Sequence, residues 1–164
     1  MLFRNSLAGN RDMYLASVFP ENDKIKITSM QIGNEHWKFN ACPMDGGMLA
    51  VDTKGVVSTV WRRGREIFTA TNDGADEQLI GIGEQPWIAS TTDGPMAVWT
   101  SRRDGELMLK NVSKENVLTI TSIARDPVVV ADPVHGKSVF VFWEENDSGR
   151  TSIFVKAIEL GSLR

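Results

Sequence analysis

The chain has 164 residues, a net charge of −3 and an acidic pI near 5.4. That balance, without clustered Lys and Arg, excludes a broad nucleic-acid surface, and no apolar run approaches the ~20 residues of a membrane span. Hydrophobic content of 41% and charged content of 24% suit one domain over residues 1–164, long enough to bury a core.

From Phe3 to Ser17 the pattern reads as a hairpin, with Ser6-Leu7-Ala8-Gly9-Asn10 as its turn and Met13-Tyr14-Leu15-Ala16 as the returning strand. Lys24-Ile25-Lys26-Ile27-Thr28 alternates polar and apolar residues, which predicts a half-exposed strand. Periodicity then fails from Gln31 to Met48, and Pro43 with the Gly46-Gly47 pair discourages a strand there. This stretch is expected to connect two sheets.

Three clearer units follow. Each has an Ala-containing strand, a turn, a strand ending in Trp, a charged loop and a further apolar strand. Trp61, Trp99 and Trp143 end the second strands and are 38 and 44 residues apart; Pro43, Pro86 and Pro127 precede the units at spacings of 43 and 41. A period near 40 is that of four-stranded propeller blades. Helical repeats of similar length fail, because no segment holds a 3.6-residue apolar pattern for three turns. Aligning the units places Phe3 with the three tryptophans. Third strands then fall at Met13–Ser17, Ile67–Ala70, Leu107–Lys110 and Ser152–Ile158, and fourth strands at Ile25–Ile32, Gln78–Ile82 and Val117–Ile123. The fold expected is all-β, a partial β-propeller of about four blades with four-stranded antiparallel sheets. Two blades are complete and two incomplete, bounded near 1–45, 46–86, 87–127 and 128–164. Such a chain is part of a larger ring, or it closes on another copy by self-association through open blade edges.

The string Trp37 … Cys42-Pro43-Met44-Asp45-Gly46-Gly47, with the hairpin Phe3-Arg4-Asn5 … Arg11-Asp12-Met13-Tyr14 before it, resembles the sialidase-like (BNR or Asp-box repeat) six-bladed propellers. The likeness covers essentially the whole chain, about half of such a ring. The Asp-box pattern Ser-x-Asp-x-Gly-x-Thr-Trp is not retained at Ser17–Asp23 or Asn111–Lys114, and Thr71-Asn72-Asp73-Gly74 keeps a remnant. The resemblance implies a carbohydrate-recognising segment, with exo-glycosidase activity of sialidase type in a complete ring. The alternatives are a non-catalytic binding or assembly platform and a truncated fragment without activity.

Sialidases hold a substrate carboxylate with an arginine cluster, since planar guanidinium forks match it bidentately, and use a tyrosine nucleophile. Tyr14 is the only tyrosine and lies inside a strand, so it reads as a core aromatic. Residues following the second strands share one face of a propeller. Arg4, Arg62, Arg63, Arg102 and Glu144 are therefore the candidate ligand-binding residues, and Asp45, on the connection entering a first strand, is the candidate catalytic carboxylate. The ligand implied is an acidic glycan or another small molecule. No cofactor is expected: Gly81-Ile82-Gly83 lacks the rest of a dinucleotide fingerprint. No metal is expected either. His36 and His135 sit far apart in sequence, Cys42 and His36 read as a buried thiol and a surface imidazole, and Asp73, Asp76 and Glu77 read as an acidic turn.

Overall fold

Short runs rich in Val, Ile, Thr and Trp, punctuated by Gly, Asn and Asp, form antiparallel strands throughout the chain. The computed structural model describes residues 1–42, 45–73, 76–134 and 136–162. Pro43 of the Cys-Pro motif, Gly74 of the Asp-box remnant and His135 lie outside the described residues.

The first sheet orders β1 (Leu2–Arg4), β2 (Met13–Glu21) and β3 (Lys24–Ile32). The second orders β4 (Met48–Val51), β5 (Val57–Arg63), β6 (Glu66–Thr71) and β7 (Gln78–Ile82). The third has six strands in the order β13-β12-β11-β10-β9-β8. They are β8 (Glu84–Thr91), β9 (Gly94–Thr100), β10 (Gly105–Asn111), β11 (Val117–Ala131), β12 (Ser138–Asp147) and β13 (Arg150–Glu159).

Four sequence units thus meet three sheets, and β11 is the reason. Its first part, to Ala124, pairs with β10; its second, from Arg125, pairs with β12. Proline was expected to end one sheet and begin the next. Instead Asp126 takes a left-handed backbone (φ 48°) and the register slips between Arg125 and Val128. The strand bends there without breaking, since a bulge tolerates the missing N–H of Pro127. The six-stranded sheet therefore has two arms, which fold against one core. Met96, Val98, Leu107 and Leu109 come from the proximal arm, and Val129, Val139, Val141 and Trp143 from the distal arm.

The cross-strand register relates the units. Phe3 lies opposite Tyr14, Trp61 opposite Phe68, Trp99 opposite Met108 and Trp143 opposite Phe154. Three cores separate successive layers. Trp61 and Phe68 of the second sheet pack on Met13, Leu15 and Ile32 of the first. Trp99 and Ile88 of the proximal arm pack on Val60, Ile67 and Ile80 of the second sheet. Trp143 belongs to the core between the arms. Buried Thr59 and Thr69 satisfy their hydroxyls on the carbonyls of Ala70 and Thr59, each at 2.8 Å.

Hairpin turns match their sequences. Asn22 and Asp23 (φ 49° and 60°) join β2 to β3, and Ser148 and Gly149 (φ 52° and 84°) join β12 to β13. Two consecutive positive-φ residues give the turn whose twist fits an antiparallel pair. Gly83 is required by close approach: a Cβ there would lie 2.1 Å from the Thr100 carbonyl oxygen and 2.7 Å from the Trp99 ring. One expectation changes in β3. Its residues 24–30 are exposed on both faces, as are Val18–Glu21 on β2, so this end of the hairpin is covered on neither side.

Candidate functional site

The connections entering β4, β8 and the second part of β11 come together at one end of the sheets. Gly47 directly precedes Met48, the partner of Val60, while Gln85-Pro86 and Asp126-Pro127 fall in the register shifts that lie across from Trp99 and Trp143. Gln85 (φ 57°) and Asp126 have left-handed backbones immediately before proline, a setting that favours extended conformations. Such strain persists only where surroundings over-determine it. Here they do: the Gln85 amide N–H donates to Asp45 Oδ2 (3.1 Å) and its side-chain Nε2 donates to Asp126 Oδ1. The Gln85 Oε1 accepts from the Asp126 amide (3.2 Å) and from the Thr100 hydroxyl (3.1 Å).

Around this glutamine lies a cavity of about 440 Å³, within the size range of small-molecule sites. Its polar lining is Asp45, Arg62, Glu84, Gln85, Arg103 and Asp126, and its apolar side includes Met48, Trp87 and Val128. Trp87 is half-buried and packs partly on the core between the arms. Arg62 donates to Asp45 Oδ1 through Nε (2.8 Å) and Nη2 (2.6 Å), and through Nη1 to the Gly64 carbonyl (3.2 Å). Both oxygens of Asp45 are therefore engaged. Arg103 approaches Asp126 at 3.6 Å, and its backbone N–H donates to Glu84 Oε1. Asp126 is about half exposed, its Oδ1 accepting from Gln85 and its Oδ2 facing Arg103, fewer donors than hold Asp45.

Of the residues singled out in the sequence, Arg62 and Asp45 line this cavity and are joined to each other. Arg4 stands behind them. Its guanidinium donates to the carbonyls of Arg11 (2.8 Å) and Arg62 (3.0 Å) and lies 5.1 Å from the Trp37 ring centre. Burial pulls Arg4 below its ordinary pKa; Asp45 and Asp12 oppose that effect, while Arg62 and Arg11 add to it. Arg4 thus acts as a brace between the first and second sheets.

The other three lie elsewhere. Side chains alternate along a strand, so Arg63 points away from Arg62. It forms a bidentate pair with Glu77 (2.5 and 3.1 Å) and sits over the Phe68 ring at 4.0 Å. Arg102 is exposed on the turn before β10, and the next residue, Arg103, takes the place expected of it. Glu144 is paired across strands with Arg125 and with Ile153, outside the cavity lining. Sequence reasoning missed Gln85, Asp126, Glu84 and Trp87. The signal available was the residue before Pro86 and Pro127, the same offset in two successive units.

His36 lies on the surface as expected, whereas the cysteine reading changes. His36 Nδ1 lies 2.6 Å from Oδ2 of buried Asp12, whose Oδ1 accepts the Trp37 N–H, so the pair anchors the connection after β3. Cys42 is exposed and not the buried thiol expected. Asp76 and Glu77, expected in a solvated turn, accept hydrogen bonds from Asn34. Tyr14 is half-buried, with its ring 5.8 Å from that of Phe3.

The chain matches no family model and no curated sequence. Among solved structures it is similar to the α-L-arabinofuranosidase Arb93A from Fusarium graminearum in complex with an iminosugar inhibitor. The TM-score is 0.60 at 8% identity, and the match covers 99% of this chain and 58% of that one. It is also similar to the intramolecular trans-sialidase from Ruminococcus gnavus in complex with oseltamivir carboxylate, with a TM-score of 0.54 at 10% identity, over 94% of this chain and 41% of that one. Both neighbours are glycoside hydrolases, and at these identities the likeness is one of fold. The chain spans about half the length of the structures it matches.

Proposed function

We propose that the chain is a segment of a sialidase-like β-propeller, its four sequence units corresponding to blades, and that the cavity around Gln85 recognises a carbohydrate. The observation that carries this reading is the convergence of Asp45, Gln85 and Asp126 from three successive units on one cavity. Trp87 gives it an apolar side wall. Carboxylates and guanidiniums beside a half-buried indole suit a ligand with many hydroxyls and one less polar ring face. The fold likeness to two glycoside hydrolases supports a carbohydrate-related role.

Charge favours a neutral sugar over the acidic one implied by the arginines in the sequence. The lining holds two guanidiniums and three carboxylates, and Arg62 and Arg103 each already face a carboxylate. An anionic sugar would have to displace Asp45 or Asp126. Hydrolysis belongs to this reading as an activity of a complete ring, in which Asp126 is the carboxylate held by fewer donors, whereas Asp45 is clamped.

Isothermal titration of the protein with a neutral arabino-oligosaccharide and with sialyllactose, alongside fluorogenic arabinofuranoside and sialoside substrates, tests it. Binding of the neutral sugar ahead of the acidic one is the expected result. Tighter binding of sialyllactose would reverse the charge argument, and absence of both binding and turnover would leave only an assembly platform.

A further inference from the structure

The face that the second sheet turns toward the proximal arm changes character along its length. On β5 the alternating residues Ser58, Val60 and Arg62 share that face, and the register sets Thr71, Thr69 and Ile67 of β6 beside them. Val60 and Ile67 lie in the apolar core against Ile88, Ala97 and Trp99. Arg62 ends the face at the cavity around Gln85. At the other end, about 13 Å from Arg62 along the strand, Ser58 lines a second cavity of about 300 Å³ between the same two layers.

Thr71 and Gln78 line the second-sheet wall of this cavity and Ser90 its proximal-arm wall, with the carboxylates of Asp52 and Asp76 beside them. Ser58 is only 8% exposed, and no protein group among the described residues hydrogen-bonds its hydroxyl. A hydroxyl buried in this way costs free energy unless a molecule entering the cavity bonds it. Asp52 Oδ1 accepts from the amides of Lys54 (2.8 Å) and Val56 (2.9 Å), and Asp76 Oδ1 accepts from Asn34 Nδ2 (2.8 Å). Neither aspartate forms an ion pair among the described residues, and no Lys or Arg among them lines the cavity. The cavity around Gln85 is the opposite case, since Asp45 and Asp126 each face an arginine there.

We infer that this second cavity binds a small organic ammonium ion, its charge balanced by Asp52 and Asp76 and its N–H groups donating to Asp52 Oδ2 and the Ser58 hydroxyl. An ammonium carries three donors and no acceptor, which suits a lining of carboxylates, hydroxyls and one side-chain amide. An anion would meet two carboxylates and no cation. A metal ion would find too few ligands, since among the described residues no cluster of three or more His, Cys, Asp or Glu could hold one. The volume stands at the lower end of small-molecule sites and fits a molecule of a few carbons. Both walls belong to layers inside the chain, and the site is separate from the one proposed for sugar.

Nitrogen–proton spectra of the chain titrated with putrescine, and with 1,4-butanediol as its uncharged counterpart of the same length, test this. Putrescine is expected to move the Ser58 backbone and Gln78 side-chain amide signals along one saturating curve while the Gln85 amide stays in place. The diol should bind at least about tenfold more weakly, because it offers no charge to the carboxylates. Asp52→Asn keeps the Oδ1 acceptor that the Lys54 and Val56 amides use, so the turn stands while the charge is removed. Its affinity for putrescine should fall at least about fivefold. Ser58→Ala deletes a hydroxyl that no described protein group bonds, so it should melt no lower than wild type and yet bind putrescine more weakly. Equal responses to the amine and the diol overturn the inference, as do shifts that never saturate. Wild-type affinity in both variants overturns it as well.

Discussion

Replacing Trp99 with alanine is expected to destabilise the protein by about 3–5 kcal/mol. The side chain is essentially fully buried and lies in the core that joins the second sheet to the proximal arm. Its room is made by two glycines: a Cβ at Gly81 would stand 2.4 Å from the indole, and one at Gly83 2.7 Å. Gly81 on β7 and Gly83 in the connection to β8 let the backbone approach closely, because the indole takes the volume their side chains would need. Alanine would leave a void that the close-packed backbone cannot fill by shifting, which is the costly case for a large-to-small change. A loss of that size is a large fraction of the ~5–15 kcal/mol that holds a domain folded. Urea unfolding followed by circular dichroism measures it, and a loss below about 1 kcal/mol would show that the layers do not depend on this contact.

The second large effect is expected at Arg62. Arg62→Gln removes both donors to Asp45 Oδ1 and the donor to the Gly64 carbonyl, and leaves the Gln85 amide as the remaining donor to that carboxylate among the described residues. Sugar affinity should fall at least about tenfold, or ~1.4 kcal/mol, because Asp45 then turns and Gln85 loses its fixed partner. Arg102→Gln, on the exposed turn outside the cavity lining, should leave affinity unchanged. Titration calorimetry on both variants, with thermal melts to separate unfolding from lost binding, checks the pair. Equal losses in the two would place the ligand outside this cavity.

The repeat was legible in the sequence for a physical reason. A strand that must fill a core between layers needs a large flat side chain at one register position, and Phe3, Trp61, Trp99 and Trp143 mark it. The face of each arginine was less legible. Arg62 and Arg63 are adjacent, and only the pairing of Arg62 with Ile67 decides which points toward Asp45. Residues after the other second strands do not behave alike: at Arg102 a turn intervenes and hands the position to Arg103. Pro127 misled for another reason. Proline forbids a central ladder bond in a regular strand, yet the left-handed Asp126 supplies a bulge at which that bond is not needed. The role of Gln85 had only its place before Pro86 as a sequence signal, shared with Asp126 before Pro127, because it rests on a backbone conformation rare for glutamine. The apolar runs in β3 and β13 gave strand type correctly but not exposure, which depends on whether a further layer covers them.

Whether the cavity around Gln85 binds sugar is tested most directly by the indole N–H signals in a two-dimensional nitrogen–proton spectrum. The chain has five tryptophans, so five such signals report on separate places. Trp87 lines the cavity, Trp61, Trp99 and Trp143 lie in the cores, and Trp37 stacks on Phe39 under Arg4. On titration with a neutral arabino-oligosaccharide, the Trp87 indole and the Gln85 amide signals should move together and saturate while the core indoles stay in place. A Trp87 signal that does not move at sugar concentrations that shift any other resonance would contradict the account.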